Sequence, residues 1–91
     1  MNEAVKLKRK EGIMAADMNG STVMMDITTG KYYNLGKVGG EIWALLENEM
    51  TVDALVNTLT KSYDVSREQC IKDTVPFLEK LLEQGLLASC R

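Results

Sequence analysis

The chain has 91 residues, 45% of them apolar and 26% charged, and its 11 basic and 13 acidic side chains leave a net charge of −2. That length supports one small core, the composition excludes a disordered chain, and the lack of a basic excess argues against the phosphate-neutralising surface of a nucleic-acid binder. No apolar run approaches the ~18 residues of a spanning helix, and the N-terminus lacks the apolar centre of a signal peptide, so a cytoplasmic protein with no membrane partner is expected.

Histidine is absent, which removes the commonest general base and every Ser-His or Cys-His nucleophile pair. Cys70 and Cys90, the two cysteines, form no Cys-x-x-Cys pair and have no histidine to complete a metal set. Both are read as free thiols. No catalytic residue, metal or cofactor is expected, and the chain is not read as an enzyme.

Residues 1–12, with Lys6, Lys8, Arg9 and Lys10 close together, read as a flexible N-terminal lead-in. The alternatives are a short first strand through Val5 and Leu7, or an arm touching an acidic partner. Residues 13–17 and 22–27 are apolar-rich runs flanking Met18-Asn19-Gly20-Ser21, and Asn-Gly between two such runs predicts a β-hairpin. Thr28, Thr29 and Gly30 have the turn chemistry to add residues 31–35 as a third antiparallel strand. Tyr32 and Tyr33 then point to opposite faces, and alternation alone does not say which is core.

A change of period follows. Val38, Ile42, Leu45 and Leu46 recur at helical spacing with Trp43 beside them, so a first helix is expected from Lys37 or Val38 to about Asn48. Gly39 and Gly40 weaken it by roughly 1 kcal/mol each relative to Ala, which signals either close packing on the sheet or a late helix start. Residues 51–61 read as a second helix, with Thr51 as cap, Asp53 in the first turn, and Val52, Leu55, Val56 and Leu59 apolar. Ser66 followed by Gln69 is a capping box that opens a third helix, and Gly85 with Leu86 is its stop.

The third helix has two apolar stripes, Ile71, Val75, Leu78 and Leu82 beside Cys70, Thr74, Phe77 and Leu81. Together they span ~160°, more than the ~100° that a helix needs to sit on a core. Either the helix lies between two structural neighbours or the second stripe lines a groove that a partner fills. Pro76, in mid-helix, removes the bond to the carbonyl of Lys72 and is expected to kink the axis.

Three strands followed by three helices, the last two in helix-turn-helix order, give an α+β, winged helix-turn-helix-like fold. Residues 23–35 (VMMDITTGKYYNL), Gly39, residues 41–46 (EIWALL), 63–65 (YDV), 73–78 (DTVPFL) and 85–87 (GLL) in this order resemble the PqqD family of RiPP recognition elements, and above all the small leader-binding proteins of lasso-peptide biosynthesis. The resemblance covers about residues 13–88, taken as the recognition domain, and leaves 89–91 as a C-terminal tail. Two departures are Gly36, where the family has a capping Asn, and Pro76, where it has an ordinary helix former.

The resemblance implies a non-catalytic function, the binding of a precursor's leader segment and its presentation to a leader peptidase and a cyclase. It implies that the leader adds as a strand to the free edge of the third strand, in a groove walled by the third helix. The corresponding positions are Lys31, Tyr32, Tyr33, Asn34 and Leu35 on the strand, with Cys70, Asp73, Thr74, Phe77, Lys80 and Leu81 on the helix. The order of elements also permits a small winged-helix DNA-binding regulator, although its recognition helix would set Glu68, Asp73, Glu79 and Glu83 against Arg67, Lys72 and Lys80.

Overall fold

The computed structural model describes residues 3–90, with Cys90 described by its backbone alone. Met1 and Asn2 of the expected lead-in, Arg91 of the expected tail, and the Cys90 thiol lie outside the described residues. The elements run β1 (Lys6–Arg9), β2 (Ile13–Met18), β3 (Ser21–Asp26), β4 (Tyr32–Leu35), α1 (Gly36–Leu45), β5 (Met50–Thr51), α2 (Val52–Ser62), α3 (Arg67–Glu83) and β6 (Leu87–Cys90). The expected α+β order, a three-stranded antiparallel sheet followed by three helices, is present. A second sheet accompanies it.

The sheet β2-β3-β4 forms as its turns dictate. Asn19 and Gly20 both take positive φ, 57° and 85°, and so close a two-residue hairpin whose twist matches the strands. Between β3 and β4, the buried carboxylate of Asp26 accepts the N–H groups of Thr28 at 2.9 Å and Thr29 at 3.4 Å, fixing the turn from inside. At the far end Val23 pairs with Asn34 but Thr22 with Gly36, so Leu35 is an extra residue, a bulge in near-helical conformation from which α1 starts at once. The N-cap of α1 is Leu35, which has no side-chain acceptor, and the Asn34 side chain accepts the Gly36 N–H at 3.0 Å.

The helix ends follow their signals. Thr51 Oγ1 accepts the Ala54 N–H at 3.1 Å, and Ser66 Oγ the Gln69 N–H at 3.2 Å. The Gln69 side chain does not reach back to complete the box; it donates to Asp73 at 3.0 Å. α3 ends with Gly85 at φ 76°, its N–H on Leu82 and the Leu86 N–H on Leu81, a Schellman motif closed by two buried leucines. α3 runs unbroken through Pro76. The two glycines of α1 mark close packing and not a late start, since the helix begins at Gly36 and both are buried.

The second sheet, β5-β1-β6, corrects the reading of residues 6–9 as part of a flexible lead-in and of residues 89–90 as part of a tail. β1 is its central strand, pairing Leu7 with Met50 on one side and with Ser89 on the other. Ser89 and Cys90 belong to β6. Both flanks of β1 are thus hydrogen-bonded, and Leu7 is fully buried, which stabilises the fold by roughly 1.5–3 kcal/mol. Arg9 donates through Nε to the Trp43 carbonyl at 2.8 Å and lies over the Trp43 ring, 4.9 Å from its centroid, tying this sheet to α1. Among the described residues no helix is long and apolar enough to cross a membrane.

Candidate functional site

β4 lies at the edge of its sheet, and antiparallel pairing decides which of its backbone groups are free. The Asp26 N–H bonds the Lys31 carbonyl at 3.0 Å, so by alternation Lys31 and Tyr33 face β3 while the N–H and C=O groups of Tyr32 and Asn34 face outward. No strand of the described residues pairs with that side. Side chains alternate the other way. Tyr33 is half-buried against the core, and Tyr32, 73% exposed, stands on the outer face of the sheet beside Met25.

Next to this edge is a groove of about 370 Å3, lined by Tyr33, Asn34 and Leu35 on β4 and by Phe77, Lys80, Leu81 and Gln84 on α3 and its C-cap. Its floor is apolar and its rim polar. Leu81 is buried, Tyr33, Leu35 and Phe77 are half-buried, and Lys80 and Gln84 are exposed.

Of the residues expected at the site, the structure therefore brings Tyr33, Asn34, Leu35, Phe77, Lys80 and Leu81 together. Lys31 and Tyr32 do not line the groove; the Lys31 carbonyl is bonded to β3, and Tyr32 offers its outward backbone groups at the edge. Cys70 and Thr74, each 5% exposed, lie in the core, 3.7 Å apart between Sγ and Oγ1. Asp73 is exposed one turn before Phe77 and accepts from Gln69. The cause is a rotation of α3. Its most buried residues are Cys70, Thr74, Leu78 and Leu81, so the core sits ~40° round the helix from Cys70, between the two stripes and not under the first. Ile71, Val75 and Leu82 become one half-buried flank, and Phe77 with Lys80 and Gln84 becomes the other. Gln84 was not among the expected residues, yet its spacing of seven from Phe77 and four from Lys80 places it on that flank.

Two glycines position the walls. A Cβ on Gly40 would lie 2.0 Å from Thr22 Oγ1, so α1 can cross β3 at this distance only without a side chain there. A Cβ on Gly39 would lie 2.9 Å from Phe77 Cζ and 3.1 Å from Leu35 Cβ, both groove residues.

Two solved structures are similar to this one. TbiB1 in complex with the TbiA(beta) leader peptide is 30% identical, with a TM-score of 0.79 over 88% of this chain and 93% of that one. Lasso peptide synthetase B1 complexed with the leader peptide is 22% identical, with a TM-score of 0.71 over 90% and 96%, a likeness of fold. No curated protein matches by sequence. The family model for coenzyme PQQ synthesis protein D (PqqD) matches residues 21–87, from the first residue of β3 to the first of β6 and so across both walls of the groove. The chain belongs to the PqqD family.

Proposed function

We propose that the protein binds the leader segment of a ribosomally made precursor peptide by adding it as a strand to β4, and presents it to a leader peptidase and a cyclase in lasso-peptide biosynthesis without catalysing a step itself. The observation that carries this reading is the free edge of β4 beside an apolar groove, on a fold shared with two proteins solved in complex with leader peptides. Strand addition to an exposed edge draws affinity from backbone bonds and choice from side-chain pockets.

Magnitudes divide the work. Tyr32 and Asn34 offer four outward backbone groups, and a net ~0.5–1.5 kcal/mol for each bond gives roughly 2–6 kcal/mol. Micromolar binding needs about 8 kcal/mol after the cost of ordering the peptide. The groove must supply the rest, and one apolar side chain buried there contributes roughly 1.5–3 kcal/mol. The edge accepts any sequence; the groove chooses among them.

The charges on α3 favour a peptide over DNA. Of its three basic side chains, Arg67 is engaged by Glu3 and Asp53, and Lys72 lies 3.6 Å from Glu68. Only Lys80 has no carboxylate partner among the described residues. The test is an NMR titration with a synthetic leader segment, taken from a short precursor reading frame sought beside this gene. Amide shifts are expected at residues 32–35 and 77–84. Binding with those amides unmoved would discard the site, and no binding would discard the function. Adjacent reading frames for a peptidase and a cyclase would support the wider assignment.

A further inference from the structure

Gly39 and Gly40 are buried neighbours in α1, yet a side chain at each would meet a different kind of obstacle. At Gly40 the added carbon would strike Thr22, at 2.0 Å from Oγ1 and 2.7 Å from Cβ, and Thr22 belongs to the central strand of the sheet, hydrogen-bonded between β2 and β4. Neither α1 nor β3 can give way without separating helix from sheet. At Gly39 the added carbon would meet the far end of the Phe77 ring, at 2.9 Å from Cζ and 3.2 Å from Cε1, and Leu35 Cβ at 3.1 Å. The ring end is the movable obstacle. Phe77 is half-buried and borders the groove, so the open side towards which it can move is the groove itself.

We propose that Gly39 is a positioning residue that sets the depth of the groove. Having no side chain, it lets the Phe77 ring lie back against α1. Any larger residue at 39 drives the ring forward, into the space that an apolar side chain of the added strand would fill, and presses on Leu35 at the same time. The groove's capacity is thus decided by a residue that never touches the peptide. This rests on the proposed peptide-binding function, whose site it refines.

The contrast between the two glycines supplies the test. Gly39→Ala, Gly40→Ala, Phe77→Leu and the double variant Gly39→Ala/Phe77→Leu are titrated calorimetrically with the same synthetic leader segment as the wild type, and their folding is followed by denaturant midpoint and amide dispersion. Gly39→Ala is expected to keep the native spectrum, move the methyl resonances of Leu35 and Leu81 in the peptide-free protein, and bind at least tenfold more weakly. Gly40→Ala is expected to lower the midpoint markedly. Phe77→Leu removes the ring end that a methyl group at position 39 would strike, so adding Gly39→Ala to it should change affinity less than twofold, and the cycle isolates the coupling between the two positions. Wild-type affinity retained by Gly39→Ala, unfolding of Gly39→Ala like Gly40→Ala, or an equal loss in both backgrounds would each overturn the proposal. If the wild-type protein fails to bind, the peptide-binding function falls and the role of Gly39 falls with it; if wild type and Gly39→Ala bind equally, only the role of Gly39 falls.

Discussion

The sheet β2-β3-β4 ends in two free edges that differ in what stands beside them. The Ile27 N–H bonds the Gly12 carbonyl at 3.0 Å, so alternation turns the backbone groups of Ile13, Ala15 and Asp17 outward along β2, as it does those of Tyr32 and Asn34 along β4. Backbone chemistry is therefore the same at both edges. At β4 the wall of α3 adds Phe77 and Leu81 to Leu35 and Tyr33. At β2 all residues but Ile13 are exposed, and the cleft beneath it, about 210 Å3, is bordered by Arg9, Asp17, Thr22 and Trp43. An edge by itself is an unselective template; a helix wall makes it a site.

The sharpest way to break this comparison is to remove one outward N–H from each edge. Tyr32→Pro deletes a free donor of β4, and Ala15→Pro one of β2, at positions where an edge strand tolerates proline. Tyr32→Pro is expected to weaken leader binding on the order of 10- to 100-fold, the effect of leaving a buried acceptor unpaired, with the native spectrum retained. Ala15→Pro is expected to leave affinity unchanged by calorimetry. Tyr33→Pro is the control, because its N–H faces β3; it should lower stability by roughly 1–3 kcal/mol. Equal losses from Tyr32→Pro and Ala15→Pro would mean that the peptide does not distinguish the edges.

The wall comes next. Phe77 and Ile71 are both half-buried on α3 but occupy opposite flanks of its core-facing arc. Truncating either to Ala should cost roughly 1–3 kcal/mol of stability by urea denaturation, less than the cost at a fully buried site. Only Phe77→Ala is expected to lose affinity, by about tenfold, in line with one apolar contact. A parallel loss from Ile71→Ala would show that affinity merely follows stability.

Much of this contrast was legible in the residues, and the exceptions share a cause. Asn19-Gly20, Thr51, Ser66 and Gly85 each do locally what their type requires, so strands β2 to β4 and the ends of α2 and α3 follow from short stretches of chain. β1 does not. Lys6-Leu7-Lys8-Arg9 has one apolar side chain, and its strand exists because β5 and β6, separated from it by some forty and eighty residues, supply partners on both sides. At the site, periodicity found the apolar arc of α3 but not its rotation, which is set by packing against α2 and β6. Cys70 and Thr74 therefore belong to the core, and Gln84 to the groove. Gly39 and Gly40 were visible as a local cost in α1; what each makes room for depends on Phe77 and Thr22, from other elements.

Smaller effects test the rim. Lys80 is exposed and without a carboxylate partner among the described residues. Lys80→Ala is expected to change leader affinity by less than about fivefold, the range of an exposed ion pair, and the difference should vanish in roughly 0.5 M salt. A larger, salt-insensitive loss would place its stem, and not its charge, in contact with the peptide.

The smallest expected effect lies on the outer face, where Met14 and Met18 are each 59% exposed and flank an apolar patch with Val23, Met25 and Tyr32. This surface is more apolar than the groove, so apolarity alone would nominate it first. Position separates the two. Met14 and Met18 lie on β2, two strands from the β4 edge, at ~4.8 Å per strand, and a peptide added to β4 reaches Tyr32 but not them. Met14→Ser/Met18→Ser should therefore leave leader affinity within twofold and stability within ~0.5 kcal/mol, as for surface changes away from packed contacts. A clear loss of affinity would mean that the bound strand lies along β2, and would exchange the roles assigned to the two edges.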